Sequence, residues 1–170
     1  MLFSIITICR NHLDGLKATA TSIAAQDFSD YEWIVIDGAS TDGTPSYLQS
    51  LNNSHLYFAS EPDSGIYDAM NKGIARATGD YLLFLNAGDT LANGNVLTSI
   101  AKLTHTQPDF IYGDSYEGNH CKKARDFSTI LFGMFTHHQA MFYRRSALGS
   151  MRYNTSYRIA ADYDLTLRYI

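Results

Sequence analysis

The chain has 170 residues, 45% hydrophobic and 13% aromatic, with a formal net charge of −4 and a pI of about 5.8. This composition fits a folded globular protein, and the length suits a single domain over residues 1–170 with a substantial core. The acidic balance argues against a general nucleic-acid binder, whose affinity rests on a basic face; Cys9 and Cys121 are too few for a disulfide framework and read as reduced thiols of a cytoplasmic protein; and no apolar run reaches the roughly 18 residues that span a bilayer.

Leu2 to Cys9 is rich in β-branched and apolar residues and predicts a buried first strand, which starts without the basic lead of a signal peptide. Arg10-Asn11-His12 follows as a polar loop. A helix is expected from Asp14 to about Gln26, with Leu16, Ala20, Ile23 and Ala24 facing inward. Glu32 to Asp37 reads as the second strand, with Asp37 at its C-terminal tip, and Gly38 to Gly43 as a loop of small residues. Thr44-Pro45 offers an N-cap and a first-turn proline for a helix to about Leu51, and His55 to Ser60 a third strand.

The stretch from Glu61 to Asp89 organises the chain. It reads as turn, helix, turn, buried strand and acidic loop. Ile66, Met70, Ile74 and Ala77 recur at helical spacing, and Gly79 stands where a helix end favours a left-handed residue. Tyr81 to Leu85 is the continuous apolar run of a strand covered on both faces, and Asn86 and Asp89 lie just past its C-terminal end, where open α/β sheets bind ligands. Asn93 or Asn95 can cap a helix carrying Val96, Leu97, Ile100 and Leu103. Phe110–Tyr116 and Ala140–Arg144 read as further strands, Phe127–His137 as a core-packed loop or an acceptor-side flap, and Asp162 onwards as a helix. Strands alternating with helices predict an α/β fold with a mostly parallel sheet and helices on both faces.

Six motifs in order carry a resemblance: Ser4-Ile5-Ile6-Thr7; Asp37 to Thr44; Glu61-Pro62-Asp63-Ser64-Gly65 through Gly73; Phe84-Leu85-Asn86-Ala87-Gly88-Asp89; His138-Gln139-Ala140; and Asp162-Tyr163-Asp164-Leu165. The chain resembles the inverting glycosyltransferases with the GT-A fold, and within them the branch that builds bacterial exopolysaccharides of the colanic-acid type. The resemblance implies a transferase that moves a sugar from a nucleotide-diphosphate donor, a UDP-sugar favoured, to a saccharide or lipid-linked acceptor. It also implies a divalent cation, Mn²⁺ or Mg²⁺, as cofactor.

Such a reaction must hold the nucleotide, stabilise the leaving diphosphate and deprotonate the acceptor. Thr7, Arg10, Asn11 and Asp37 follow from the resemblance as nucleotide contacts, with Asp37 reading uracil or ribose. Asp63 and Asn71 are further nucleotide-side candidates, whereas Lys72 and Asp42 read equally as surface and turn residues. Many relatives carry a second acid directly after the first, but here that residue is Gly38. Asp89 is the implied metal ligand, the single carboxylate left of a commonly more acidic cluster. His138 is implied near the diphosphate or metal, and Arg144-Arg145 reads as a solvated pair. Asp162 is the implied catalytic base, with Asp164 as the alternative.

Two other classes compete. A nucleotidyltransferase would show a glycine-rich basic loop after the first strand, where Cys9-Arg10-Asn11-His12-Leu13 stands; an inactive sugar-nucleotide-binding module would bind without turnover. The lack of G-x-G-x-x-G after that strand argues against a dinucleotide-dependent dehydrogenase. The final helix stops without an end signal and family members continue further. The expectation is therefore a C-terminally shortened domain, with acceptor contacts and peripheral association with the inner membrane face in the missing part.

Overall fold

The computed structural model describes residues 1–170. In chain order it forms β1 (Phe3–Cys9), α1 (Leu13–Ala24), β2 (Tyr31–Asp37), α2 (Thr44–Ser50), β3 (Leu56–Ser60), α3 (Ile66–Arg76), β4 (Tyr81–Phe84), α4 (Val96–Leu103), β5 (Phe110–Tyr112), β6 (Ser115–Glu117), β7 (His120–Lys122), β8 (Met141–Arg144), α5 (Arg145–Leu148) and α6 (Ala161–Tyr169). Six strands make the central sheet in the order β3-β2-β1-β4-β8-β5. β1 to β4 are mutually parallel, while β8 runs antiparallel to both neighbours.

Because a strand turns successive side chains to opposite faces, β1 and β2 feed two cores at once. Ile6, Ile8, Ile34 and Ile36 join Met70 and Ile74 of α3 and Leu165 of α6 on one face. Phe3, Ile5, Trp33 and Val35 join Leu16 and Ile23 of α1, Leu48 of α2 and Leu97 of α4 on the other. The sheet is thus a middle layer covered on both sides, which is why its inner strands read as unbroken apolar runs. α3 packs close to β1 because Gly73 has no side chain: a β-carbon there would collide with Ile6.

The parallel register aligns Cys9 with Asp37 and Asp37 with Ser60, so the first three strands end level with one another. Their following loops therefore form one continuous rim at the carboxyl edge of the sheet. At the opposite edge, Glu32 ties the chain together. Its carboxylate accepts hydrogen bonds from Ser4 Oγ (2.6 Å), Thr78 N–H (2.6 Å), Thr78 Oγ1 (2.8 Å) and Gly79 N–H (3.1 Å).

Several local expectations change. α3 ends at an extended Ala77, and Gly79 has no left-handed φ; its lack of a side chain matters because a β-carbon would lie 2.7 Å from the β1 backbone at Phe3 and Ser4. Ile66, Ala24 and Leu103 face solvent, whereas Thr19 is buried. The strand expected over Phe110–Tyr116 breaks at Gly113-Asp114, and β6 then pairs with β7 as a separate hairpin. Phe127–Phe132 forms a short 3₁₀ helix capped by Asp126, which buries Ile130 and leaves Leu131 and Phe132 76% and 86% exposed.

Candidate active site

The rim is built first from the loops after β1 and β2. Asn11 adopts a left-handed conformation (φ 49°), which turns its backbone N–H to Ser40 Oγ at 2.7 Å and lets its Oδ1 accept from Thr41 N–H at 2.8 Å. Asp37 is fully buried. Its carboxylate accepts from Ser40 N–H (3.0 Å), Ser40 Oγ and Ser60 Oγ (2.6 Å), so both oxygens are used within the turn. The expected contact of Asp37 with uracil or ribose is corrected accordingly: this carboxylate shapes the rim from beneath. Thr7 is corrected in the same way. It lies on the strand face covered by α1, donates to Leu85 O at 2.7 Å and accepts from Trp33 Nε1 at 2.9 Å, with no exposed surface. Asp42 reaches across to accept the first free N–H of α1, at Leu13 (2.9 Å), and also caps Thr44, which confirms its turn role.

The β3–α3 loop completes this half. Lys72 pairs with Glu61 at 2.9 Å and Asp68 at 3.7 Å and donates to Pro62 O at 3.0 Å, so it fastens the loop that carries Asp63. Asp63 Oδ1 accepts from Gly65 N–H at 2.9 Å. Asn71 does not face the rim. Its amide exchanges two 2.9 Å hydrogen bonds with the Tyr153 backbone, which corrects its assignment to the nucleotide. Arg10 and Asn11 remain exposed on the rim, and the Arg10 guanidinium makes no hydrogen bond within the chain.

The second half gathers around the tip of β4. Gly88 takes φ +101°, a conformation suited to glycine, and its N–H bonds Thr19 Oγ1 at 3.0 Å, while the Asp89 carbonyl accepts from the same hydroxyl at 2.8 Å. This fixes Asp89 against α1, with Gln139 donating to its Oδ2 at 3.0 Å. His138 links the elements: Asn86 Nδ2 lies 3.3 Å from its Nε2, and Asp162 Oδ2 lies 3.7 Å from its Nδ1. An amide donating to Nε2 leaves the neutral ring's proton on Nδ1, toward Asp162. Burial pushes the His138 imidazole below its ordinary value while Asp162 and Asp89 pull it up; the net lowering keeps the ring neutral near pH 7. Asp164, by contrast, is held by Arg168 through two contacts of 3.1 and 2.8 Å, while Asp162 stays three-quarters buried beside His138.

Three residues take roles that the sequence analysis did not assign them. Asn86 Oδ1 is buried without a hydrogen-bond partner, a state that costs about 1–3 kcal/mol unless something binds there. Gln139 aims Asp89, and His12 packs over Gly88, where a β-carbon would meet its ring at 3.0 Å. No group of three or more acidic, histidine or cysteine side chains could hold a metal by itself. Yet one carboxylate (Asp89) and one orphaned amide oxygen (Asn86) are oxygen donors that suit a divalent cation completed by phosphate oxygens, while the His138 ring spends its one lone pair on the Asn86 amide. Behind Asp89, a cleft of about 690 Å³ runs between Val96 and Ile100 of α4, Phe142 of β8 and the Gly113–Tyr116 turn. No helix is long and apolar enough to cross a membrane.

A family model described as glycosyl transferase family 2 matches residues 4–164. A PGL/p-HBAD biosynthesis glycosyltransferase of Mycobacterium tuberculosis is 37% identical over 176 residues, which cover 98% of this chain and 69% of that protein. The UDP complex of S. aureus TarS superimposes with a TM-score of 0.84 at 22% identity, covering 99% of this chain and 55% of that one. The mannosyltransferase PcManGT from Pyrobaculum calidifontis, in complex with GDP-Man and Mn²⁺, gives a TM-score of 0.75 at 22% identity over 98% of this chain and 51% of that one. The chain therefore spans about half the length of the solved structures it matches, and those low identities speak for the GT-A-like fold alone. Together with the family match, the chain belongs to glycosyl transferase family 2.

Proposed function

We propose that this family 2 glycosyltransferase domain transfers a sugar, with inversion, from a nucleotide-diphosphate sugar to a saccharide or lipid-linked acceptor in the assembly of a cell-surface polysaccharide. A UDP-sugar is the favoured donor. The observation that carries the reading is the His138 bridge, which joins the β4 tip, on the leaving-group side, to Asp162 at the start of α6. Inversion needs those two functions on opposite sides of one reacting carbon, within reach of a single sugar.

In the proposed step the acceptor oxygen forms a bond to the anomeric carbon as the carbon–oxygen bond to the diphosphate breaks. Asp162 takes the acceptor proton, and its partial burial beside a neutral imidazole keeps it free of a competing cation. Asp164 does not serve, because Arg168 occupies it. His138 lies beside Asp162 with Nδ1 3.7 Å from Oδ2, and Arg10 offers positive charge to the nucleotide side. Asp89 and Asn86 Oδ1 would hold a divalent cation, which when bound would stabilise negative charge on the leaving diphosphate. The UDP of the TarS complex and the GDP-Man and Mn²⁺ of the PcManGT complex support a nucleotide-sugar donor and a cation. The exposed Leu131 and Phe132 stand next to α6, since Tyr163 Oη donates to Ile130 O at 2.8 Å, and this supports an acceptor presented at the inner face of a membrane.

A thermal-shift panel of UDP-, GDP- and dTDP-sugars with Mn²⁺ tests the reading, because a ligand that binds only the folded state raises its apparent stability. A shift with at least one donor, largest with UDP-sugars, is expected. No shift with any donor at millimolar concentration sinks the proposal.

A further inference from the structure

Asp162 stands in the first turn of α6, and that helix arrives from an irregular stretch running from Gly149 to Ala160. Its start is weakly made. Ala160, the residue before it, takes a left-handed conformation (φ 68°) that a β-carbon disfavours, and it has no polar group with which to cap the helix. The first intrahelical bond runs from Asp164 N–H to Ala160 O, so the N–H groups of Ala161, Asp162 and Tyr163 find no acceptor within the helix.

Two side chains of α3 reach this segment. The helix itself is firmly seated, with Met70 and Ile74 in the core and Gly73 against Ile6 of β1. Tyr67 and Asn71 lie at i and i+4 on it and so share one face. The Asn71 amide holds both backbone groups of Tyr153, at 2.9 Å each. The Tyr67 ring stacks on the Tyr153 ring, with centroids 5.5 Å apart and planes 23° apart. Burial and then the Asp162 charge push the Tyr67 phenol up, while the N–H groups of Ala161, Ala160 and Asp162 draw it down, so its hydroxyl faces the uncapped start of α6.

We propose that Tyr67 and Asn71 are positioning residues for the base. Together they clamp the segment from Tyr153 to Asp162 onto α3, with the Tyr67 hydroxyl in place of the missing N-cap of α6, and so hold the Asp162 carboxylate beside His138. The inference rests on the reading of Asp162 as the base. A hydroxyl can accept from backbone N–H groups as a serine or threonine cap would, but this one is carried by a helix packed on the sheet rather than by the loop it steadies. A displacement of about 1 Å can cost about 100-fold in rate, so a carboxylate at the end of an irregular segment gains from such an anchor. The motif from Ile66 to Gly73 thereby acquires a task in catalysis separate from nucleotide binding.

Tyr67→Phe tests this, because it keeps the ring and its stack on Tyr153 and removes only the hydroxyl. With a donor from the thermal-shift panel, Mn²⁺ and water as acceptor, release of the nucleoside diphosphate should fall about 10- to 100-fold in kcat, while calorimetric affinity for that diphosphate stays within about twofold. Asn71→Asp, which sets a carboxylate against Tyr153 O, should act in the same way. Because the hydroxyl acts through the carboxylate, adding Tyr67→Phe to Asp162→Asn should cost less than about twofold more. Full turnover in Tyr67→Phe, an equal loss in both backgrounds, or a fall in diphosphate affinity overturns the clamp and leaves the base in place. Undiminished turnover in Asp162→Asn alone, or no turnover by wild type with any donor, removes the base, and the inference falls with it.

Discussion

Replacing Asp37 by Asn separates a rim-building residue from a ligand contact. The side chain keeps its size, but its carboxylate becomes an amide whose NH₂ cannot accept. Oδ2 receives Ser40 N–H at 3.0 Å and Ser60 Oγ at 2.6 Å, and Oδ1 receives Ser40 Oγ. With the NH₂ at Oδ2 it meets the Ser40 N–H donor; with the NH₂ at Oδ1 the Ser40 hydroxyl must accept and its own proton loses its partner; in both cases every remaining bond loses its charge assistance. Hydrogen bonds to a charged group contribute about 1.5–3 kcal/mol each, and they do not add fully here because Ser40 makes two of them; a net loss of about 3 kcal/mol follows. For a chain of this length that is a fall in Tm of about 6–12 °C by differential scanning calorimetry. UDP affinity of the folded fraction, measured below the transition, should change by less than about threefold, since Asp37 exposes no surface. A Tm within a degree or two of wild type together with a tenfold loss of UDP affinity would refute the burial argument and return Asp37 to the nucleotide.

Asp162→Asn should lower transfer by roughly 10² to 10⁴ with donor affinity nearly constant, whereas Asp164→Asn should cost less than tenfold; a reversed order in the same steady-state assay moves the base to Asp164. Calorimetry should show UDP binding strengthened by Mn²⁺ in wild type and not in Asp89→Ala, and an equal gain in both proteins removes Asp89 from the cation. Glu32 provides a pH test of stability. Burial alone would raise its carboxyl, but its hydrogen bonds from Ser4, Thr78 and Gly79 outweigh that and hold it below the ordinary value. A folded-state value below the unfolded one stabilises at pH above about 4.5 and ceases to do so as pH falls through the folded value. Glu32→Ala should therefore lower stability by about 3 kcal/mol at pH 7 and by clearly less at pH 3, with a pH-independent difference contradicting the reading.

Much of the fold was legible because burial on both faces writes itself into β1, β2 and β4 as unbroken apolar runs. The same property hid the direction of Thr7. In a strand covered on both sides, nothing in the local pattern says whether a hydroxyl looks along the rim or into the core, and Trp33 supplies the buried partner from 26 residues away. Asp37 was ambiguous for a related reason: an acid at a strand tip serves a ligand or its own turn equally well, and Ser40 and Ser60 decide it in space. Asn71 looked free because its partner, the Tyr153 backbone, lies 82 residues downstream. The gathering of Asp89, His138 and Asp162 followed from motif order, since each stands at a sheet edge or helix start. The committed state of Asp164 was within reach of sequence too, as Arg168 follows it at helical i,i+4 spacing. The orphaned oxygen of Asn86 needed the structure, because an acceptor left without a donor leaves no pattern in a single sequence.

The central claim is inverting transfer at a centre made by Asp162 and the β4 tip, and the anomeric proton reports on it directly. With an α-linked UDP-sugar, Mn²⁺ and water as the surrogate acceptor, proton NMR at early times should show the β-anomer of the free sugar appearing first, along with UDP, and Asp162→Asn should suppress both. Release of the α-anomer first, or undiminished release by Asp162→Asn, would contradict the account.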